Sequence, residues 1–234
     1  MTRKHVIIGE RYRAKLGSAL EDAELTPIYL PDNPFVAPAL AGHADLSVFS
    51  TGRKLILAPY LRNSRAAAEL AALDRELCFA DILQGAEYPA DCGINACAVG
   101  EKLLCRENVT AAEILACFQA KNRINIRQGY ARCSICVVND KAIITADFGA
   151  ASAAERAGLE ALRVAPGFFD LPGYEYGFIG GASFKLSPDK LVFTGDISAH
   201  PDAEKIVRFV RAHGVEPVYI TRDKPIDIGG AVVL

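Results

Sequence analysis

A short apolar strand that opens with a lysine occurs five times in this 234-residue chain, and its spacing constrains the fold more than any other feature. Each lysine follows a charged residue; the five lie at Lys4, Lys54, Lys102, Lys141 and Lys190, at spacings of 50, 48, 39 and 49. Counting from Lys190 through the C-terminus to Lys4 gives 48, so the period continues across the termini. One such repeat cannot bury its apolar face without neighbours. The spacing therefore predicts a closed ring of five units.

The clearest copy is the stretch 129–147, GYARCSICVVNDKAIITAD, which reads as a hairpin turning at Asn139-Asp140-Lys141. Similar hairpins are predicted over 43–59, 90–106 and 178–196, each followed by a helix and a return strand. Ser64 is a predicted N-cap for a helix through about Leu77. Thr110 with Glu113 reads as a capping box that opens a helix to Lys121.

The last hairpin begins at Asp227 and has no partner strand after it, so the N-terminal strand, helix and strand are expected to complete that unit. The predicted fold class is α/β, a five-unit ββαβ propeller closed through both termini. We expect a single domain over 1–234. Its units are approximately 43–83, 88–127, 129–165, 176–221, and 226–234 together with 5–31.

Three segments carry a resemblance to a known family: QGYARCSICVVND (128–140), GYEYGFIGGASF (173–184) and TGDISAHPDAEKI (194–206). They resemble an uncharacterised bacterial family with the pentein fold, the α/β propeller of arginine deiminases, dimethylarginine hydrolases and amidinotransferases. The ribosome anti-association factor of eukaryotes and archaea also has this fold and is not catalytic. The resemblance implies a pentein propeller and, for an enzyme, chemistry at a guanidino group.

The catalytic members of that group carry a cysteine near the C-terminus in a Gly-Gly-x-x-Cys-like segment. The corresponding run here is Gly229-Gly230-Ala231-Val232-Val233, so Val233 stands at the position of the thiol. The resemblance therefore does not supply a nucleophile at the family's position.

Polar residues at equivalent positions of the units are the first candidates for a site. Six residues after the lysines stand Glu10, Tyr60, Asn108, Asp147 and Asp196. In a ring these positions are expected at one rim, where Asp147 and Asp196 would bind a cationic group. The alternative is that these acids cap the helices that follow them.

A second set lies where the first strand of each hairpin begins: His43, Asp45, Asp91, Arg132 and Asp227. These side chains are expected to face a polar central channel and to bind a substrate. Glycines are dense at the same level, which marks either close backbone approach or a ligand. The alternative is steric, because five strands that converge on an axis leave room only for small side chains.

Cys133-Ser-Ile-Cys136 invites a redox or zinc interpretation. On a strand, however, residues three apart point to opposite faces, so the two thiols are not expected to share a metal or a disulfide. We expect no metal and no cofactor. Cys133 follows Arg132, whose charge would lower the thiol pKa and make it a candidate nucleophile. The alternative is a small core residue.

Histidine supplies the remaining catalytic candidates, His43 and His200, as proton carriers. His200 lies near Asp196 at the start of a predicted helix, and the alternative is a surface histidine without a catalytic role. The net charge of −2 and pI of about 6.1 make a nucleic-acid partner unexpected. Seven cysteines without a secretory signal predict a cytoplasmic protein, and no membrane segment is expected.

Two functions follow as hypotheses. The first is a central site that binds or acts on a small guanidino or amino compound, as a C–N hydrolase or transferase without the usual C-terminal cysteine. The alternative is a non-catalytic module that binds a protein or the ribosome, with the aromatic loop 168–176 as its surface.

Overall fold

The computed structural model describes residues 4–234, which form five three-stranded sheets. The strands are β1 (Lys4–Gly9), β2 (Leu25–Leu30), β3 (Val48–Ser50), β4 (Lys54–Leu57), β5 (Glu76–Phe79), β6 (Cys97–Val99), β7 (Lys102–Cys105), β8 (Arg123–Asn125), β9 (Ile135–Asn139), β10 (Ala142–Thr145), β11 (Glu160–Arg163), β12 (Ser183–Ser187), β13 (Lys190–Phe193), β14 (Glu216–Tyr219) and β15 (Val232–Val233). The helices are α1 (Arg13–Asp22), α2 (Arg65–Ala71), α3 (Ala112–Leu115), α4 (Ala131–Ser134), α5 (Phe148–Arg156) and α6 (Ala203–Ala212). None of the helices within residues 4–234 has the length and hydropathy required to span a membrane.

All five sheets repeat one pattern. The middle strand begins at or next to one of the five lysines and pairs antiparallel with the first strand of its unit and parallel with the third. The middle strands are almost completely buried, since they are covered on both faces. The predicted ββαβ unit is therefore confirmed.

The ring closes through both termini as predicted. Strand β15 pairs antiparallel with β1, with Val233 opposite Val6 and Val232 opposite Ile7, and β1 pairs in parallel with β2. The backbone N–H of Leu234 also donates to the carbonyl of His5 at 2.9 Å. The N-terminal strand, helix and strand thus complete the unit that the C-terminal strand begins, and this confirms the five-unit propeller.

The apolar core lies between neighbouring units, because each large cluster joins the strands of two adjacent sheets. Ile144 packs with Phe193, for example, and Leu104 packs with Ile143. The remaining three clusters join the other neighbouring pairs and close the circle. No single unit encloses a core of its own, which explains why the sequence repeats the unit five times.

The main differences from the sequence prediction lie where the hairpins begin. The first strands are shorter than expected: residues 131–134 form the helical turn α4, and residues 44–46 and 92–94 form 3-10 turns. The chain bends there because five first strands meet at the axis. The capping box is wrong: the Thr110 hydroxyl donates to the Arg106 carbonyl, and the Glu113 carboxylate accepts from the Asp81 N–H. The helix behind it is the single turn α3 rather than one reaching Lys121, and α2 ends at Ala71 rather than near Leu77.

The N-cap at Ser64 is confirmed and gives a stability prediction. Its hydroxyl oxygen accepts a hydrogen bond from the Ala67 N–H at 3.1 Å. Ser64→Ala is therefore expected to lower the free energy of unfolding by about 1 kcal/mol, measured by urea denaturation, and Ser64→Asp should restore most of it. Equal stability of the serine and alanine proteins would show that this cap contributes nothing.

Candidate functional site

The first strands of all five units surround a central cavity of about 500 Å³. Its base is formed by Asp45, Arg132 and Gly229, where the first strands begin. Its mouth is formed near the hairpin turns, with Asp140 exposed and Lys185 half-buried. A volume of this size is typical of sites for small molecules. A cavity is therefore present on the axis, and of the five side chains predicted to face it Asp45 and Arg132 are among its lining residues.

Backbone hydrogen bonds tie the units together around the base of the cavity. The Asp45 N–H donates to the Gly229 carbonyl, the Gly230 N–H to the Gly181 carbonyl, and the Gly181 N–H to the Cys133 carbonyl, at 3.2, 2.7 and 2.8 Å. These contacts need close backbone approach, because a Cβ atom built on Gly181 would lie 1.8 Å from Asp227 Oδ1. The steric interpretation of this glycine therefore holds.

A buried polar cluster lies at this level and is formed by Cys133, Asp45, His43 and Asp227. The Cys133 thiol donates to Asp45 Oδ2 at 2.7 Å. Its Sγ lies 3.8 Å from His43 Nδ1, which in turn lies 3.9 Å from Asp227 Oδ1. None of the four residues is more than 4% exposed. Four of the nine residues predicted as site residues are thus brought together, from three units that are distant in sequence.

Two of these four are held by polar groups of their neighbours. Asp227 accepts hydrogen bonds from the backbone N–H groups of Phe178 and Gly229, at 2.8 and 2.9 Å. The Asn95 side chain accepts from the Arg132 N–H at 2.7 Å, and its amide nitrogen lies 3.7 Å from Cys133 Sγ. These bonds fix the cluster without occupying all of its polar atoms.

Within the described residues, His43 Nε2 and Asp45 Oδ1 are buried and have no hydrogen-bond partner. A buried unpartnered polar atom is destabilising, and in a native protein it frequently marks the position of a ligand. A Cβ atom on Gly229 would lie 2.6 Å from His43 Cβ and 2.7 Å from Asp45 Oδ1, so this position admits only glycine against the cluster. Asp45 also lines the central cavity.

Electrostatics of the cluster favour neutral forms or a bound cation. Burial raises the pKa of Asp45 to about 6, against the opposing effect of His43. Burial, followed by the charges of Asp45 and Asp227, raises the pKa of the Cys133 thiol well above its ordinary value. The prediction that Arg132 lowers this pKa is therefore wrong. The guanidinium of Arg132 points to backbone carbonyls, whereas two carboxylates lie near the sulfur.

The same cluster contains the metal-ligand types His, Asp and Cys. One ligand atom each from His43, Asp45 and Cys133 lies within 4.8 Å of the others, an arrangement able to hold three positions of a tetrahedral Zn²⁺. Cys136 is not part of it. The parity argument against the C-x-x-C motif does not apply, because Cys133 lies in the helical turn α4 and only Cys136 lies on a strand. The ligands come from two distant segments, so no spacing in the sequence marks them.

The remaining candidates on the first strands are used by the fold. Asp91 accepts from the Tyr130 hydroxyl at 2.5 Å and from the Cys92 thiol at 3.2 Å. Arg132 donates to the carbonyls of Ile135, Gly180 and Ser183. Arg132 also lines the central cavity, whereas Asp91 does not.

The predicted rim site does not form. Asp147 caps α5 through the Ala150 N–H at 2.6 Å, and Asp196 accepts from the Ser198 N–H at 2.8 Å. Glu10 pairs with Arg13. Each of these acids lines a different cavity, that of Asp147 measuring about 310 Å³, and none lines the central one. The capping alternative is therefore correct for Asp147.

His200 does not pair with Asp196. Its Nε2 lies 3.2 Å from the Ala165 carbonyl, and its Nδ1 accepts from the Asp202 N–H at 3.0 Å. The ring is 4% exposed and packs against Phe168 and Phe169, and burial lowers its pKa. The geometry thus gives His200 a role in anchoring the aromatic loop.

Sequence reasoning missed the roles of Asn95 and Lys185. The Asn95 side chain links the Arg132 backbone N–H to the Cys133 sulfur. Lys185 follows Ser183 by two residues on β12, so the strand alternation places both side chains on the same face. This two-residue spacing is the sequence feature from which Lys185 could have been predicted to line the cavity beside Ser183.

Comparisons with known proteins agree with this architecture. A family model described as "Family of unknown function (DUF6873)" matches residues 7–232. No curated protein sequence matches the chain.

Three solved structures share the fold at low sequence identity. The agmatine deiminase of C. jejuni has a TM-score of 0.52 at 10% identity, covering 94% of this chain and 87% of its own. SxtG, an amidinotransferase of the saxitoxin biosynthetic pathway from Microseira wollei, has a TM-score of 0.51 at 10% identity, and the match covers 90% of this chain and 74% of SxtG. The inosamine-phosphate amidinotransferase StrB1 of Streptomyces griseus has a TM-score of 0.51 at 14% identity, and the match covers 94% of this chain and 77% of StrB1. The chain therefore has the pentein fold, as predicted from the resemblance.

Proposed function

We propose a function for this chain, which belongs to DUF6873, a family of unknown function. The protein binds a small guanidino or amino compound in the central cavity and acts on one of the C–N bonds of that compound, as a hydrolase or transferase. One observation carries this proposal. Asp45 Oδ1 is a buried carboxylate oxygen without a partner, Asp45 lines the central cavity, and the Cys133 thiol contacts the other oxygen. A planar cation with several N–H donors is the natural partner of such a carboxylate. The structural neighbours named as an agmatine deiminase and amidinotransferases support the same class of ligand.

A bound cation would also change the state of the thiol. In the free protein burial, together with the charges of Asp45 and Asp227, raises the pKa of Cys133 and keeps the thiol protonated. A positive charge placed against Asp45 offsets that effect and favours the thiolate, which is the nucleophilic form. The site is thus reactive only when the ligand is present.

The chemistry follows from the contacts. The thiol proton passes to Asp45, the sulfur attacks the guanidino carbon, and a C–S bond forms. The C–N bond to the leaving nitrogen then breaks, and that nitrogen takes the proton held by Asp45. Water in a hydrolase, or an amine in a transferase, displaces the sulfur and returns a proton to it. His43, whose Nε2 is free, orients or deprotonates this second nucleophile.

Ligand binding is tested by thermal denaturation with arginine, agmatine, methylated arginines and guanidine. A compound of this class is expected to raise the melting temperature, because a ligand at a hundred times its Kd stabilises the native state by about 2.7 kcal/mol. Asp45→Asn should lose the shift. Cys133→Ser should keep the shift and lose turnover, and Cys136→Ser, a buried cysteine outside the cluster, should keep both. Failure of every compound to shift the wild-type protein would refute the proposal.

A non-catalytic binding module is the second candidate, favoured by one observation. Phe168, Tyr174 and Tyr176 of one loop are 42, 48 and 39% exposed. Exposed aromatic side chains commonly anchor protein interfaces. If this function is correct, replacing Tyr174 and Tyr176 by serine, with Phe168 kept because it packs against His200, should abolish capture of a specific partner in pull-down experiments while leaving the melting temperature unchanged.

A further inference from the structure

The buried polar cluster at the ring axis combines three kinds of metal ligand. His43 supplies an imidazole, Asp45 a carboxylate and Cys133 a thiol, and one ligand atom of each lies within 4.8 Å of the other two. No other group of three such side chains within residues 4–234 is this close together. A donor set of nitrogen, oxygen and sulfur suits a borderline-soft cation such as Zn²⁺, whereas Mg²⁺ and Ca²⁺ prefer oxygen ligands alone.

The separations of these atoms are close to those of a tetrahedral metal centre. Two ligands of one tetrahedral Zn²⁺ lie about 3.3 to 3.6 Å apart. Cys133 Sγ lies 3.8 Å from His43 Nδ1. Cys133 Sγ and Asp45 Oδ2 are closer, at 2.7 Å, because the thiol donates a hydrogen bond to the carboxylate. A thiol loses its proton when it binds a metal, so this hydrogen bond would end and a shift of about 1 Å would give the separation required.

Two of the three side chains have polar atoms that the fold does not use. His43 Nε2 and Asp45 Oδ1 have no hydrogen-bond partner within residues 4–234, although the two residues are only 1 and 4% exposed. By contrast, the buried carboxylate of Asp227 accepts hydrogen bonds from two backbone N–H groups. Buried polar groups of native proteins are normally paired, so the unused atoms indicate a partner that the chain itself does not supply.

Further polar groups surround the three side chains. Asp227 Oδ1 lies 3.9 Å from His43 Nδ1, and the side-chain amide nitrogen of Asn95 lies 3.7 Å from Cys133 Sγ. Both residues are fully buried. Carboxylates and amides placed next to metal ligands in this way orient the ligands and tune their affinity for the ion.

We propose that His43, Asp45 and Cys133 bind one Zn²⁺ ion, with a water molecule in the fourth tetrahedral position. The thiolate and the carboxylate balance the two positive charges of the ion, and the proton displaced from the thiol passes to solvent. The buried Asp45 carboxylate thereby gains the counter-charge that it lacks in the free protein. The inference does not depend on the proposed function. Because both ligands would use Asp45, Zn²⁺ and a guanidino compound are expected to exclude each other.

Zinc titration of the reduced protein tests this site. The protein is freed of metal with EDTA, transferred to chelator-free buffer and titrated with Zn²⁺ against a chromophoric chelator, and one equivalent is expected to bind. Cys133→Ser should weaken this binding by about a hundredfold or more, since loss of an outer-shell partner alone costs about 10- to 100-fold. Asp45→Asn should weaken it comparably. Cys136→Ser and Cys117→Ser, a buried and an exposed cysteine outside the cluster, should not change it.

Cobalt gives a second measurement, because Co²⁺ accepts the same ligands and a thiolate–cobalt bond absorbs in the near ultraviolet. This band should appear with the wild-type protein and with Cys136→Ser, and it should be absent from Cys133→Ser. Circular dichroism in EDTA verifies that each variant is folded. If Cys133→Ser does not fold, the affinity of Asp45→Asn decides.

A wild-type protein that binds no Zn²⁺, or binds it no more tightly than Cys133→Ser and Asp45→Asn do, would overturn the inference. No guanidino compound is present in these titrations, so that result would leave the proposed function in place. Conversely, one bound Zn²⁺ that requires Cys133 and Asp45, together with failure of every guanidino compound to shift the melting temperature, would establish the metal site and refute the proposed function.

Discussion

Gly181→Ala is expected to lower the free energy of unfolding by about 3 to 5 kcal/mol. The added methyl group would lie 1.8 Å from Asp227 Oδ1, a distance that no non-bonded carbon and oxygen tolerate. Asp227 is completely buried and accepts from the N–H groups of Phe178 and Gly229. Moving its carboxylate breaks these bonds and leaves buried donors unpaired, and this adds to the cost of overpacking. Since small proteins are stable by about 5 to 15 kcal/mol, much of the native margin would be lost.

Urea denaturation followed by circular dichroism measures the effect, and Gly149→Ala is the matched control. Gly149 lies exposed in the first turn of α5, where alanine has a higher helix propensity than glycine. This variant is expected to remain within about 1 kcal/mol of the wild type. Equal stability of the two alanine variants would show that the units can separate at the axis to admit a side chain.

Asp45→Asn is expected to make the protein more stable than the wild type at pH 7.5, by on the order of 2 to 3 kcal/mol. The pKa of Asp45 is about 6 in the folded protein and close to 3.9 in an unfolded chain. The folded state therefore binds the Asp45 proton more tightly than the unfolded state does. The stabilisation that this protonation gives the folded state is fully present below the pKa of the unfolded chain. It is lost as the pH rises through 6, where the buried carboxylate becomes charged. Asparagine cannot ionise and avoids this loss.

The measurement is the difference in unfolding free energy between the two proteins at pH 4 and at pH 7.5. The advantage of asparagine should grow by about 2 kcal/mol across this range. Asp140→Asn, which replaces an exposed carboxylate at the mouth of the same cavity, serves as control and should show no such change. A constant difference at all pH values would contradict the raised pKa. The outcome bears on function too, because a residue whose replacement stabilises the fold but abolishes ligand binding is maintained for binding.

Gly181→Ala and Asp45→Asn both probe the level of the ring at which the first strands begin. At Gly181 the structure is packed so closely that a methyl group does not fit. At Gly229, one unit away, the backbone adopts a φ of 72°, which favours glycine, and an added Cβ atom would lie 2.6 Å from His43 Cβ and 2.7 Å from the unpartnered Asp45 Oδ1. Both glycines are thus required for close packing at the axis, Gly181 against Asp227 and Gly229 against His43 and Asp45.

The sequence by itself determined the architecture of this protein. The five lysine-initiated strands fixed the unit, and the period across the termini fixed the closure of β15 on β1. These features are local or periodic, because each middle strand must be apolar enough to be buried on both faces. The sequence also named His43, Asp45, Cys133 and Asp227 individually, since polar residues at the starts of buried strands are conspicuous.

Only the tertiary structure decided which candidates act together. Cys133 and Asp45 lie 88 residues apart, and their contact at 2.7 Å depends on five chain segments converging at one axis. The same convergence removed Asp147, Asp196 and His200 from the site, because nearer backbone groups satisfy their side chains. It also reversed the expected pKa shift of Cys133, since burial and two carboxylates outweigh an arginine that is adjacent in sequence. Distances across a ring and the burial of charge depend on closure of the whole ring, and neither is encoded in local spacing.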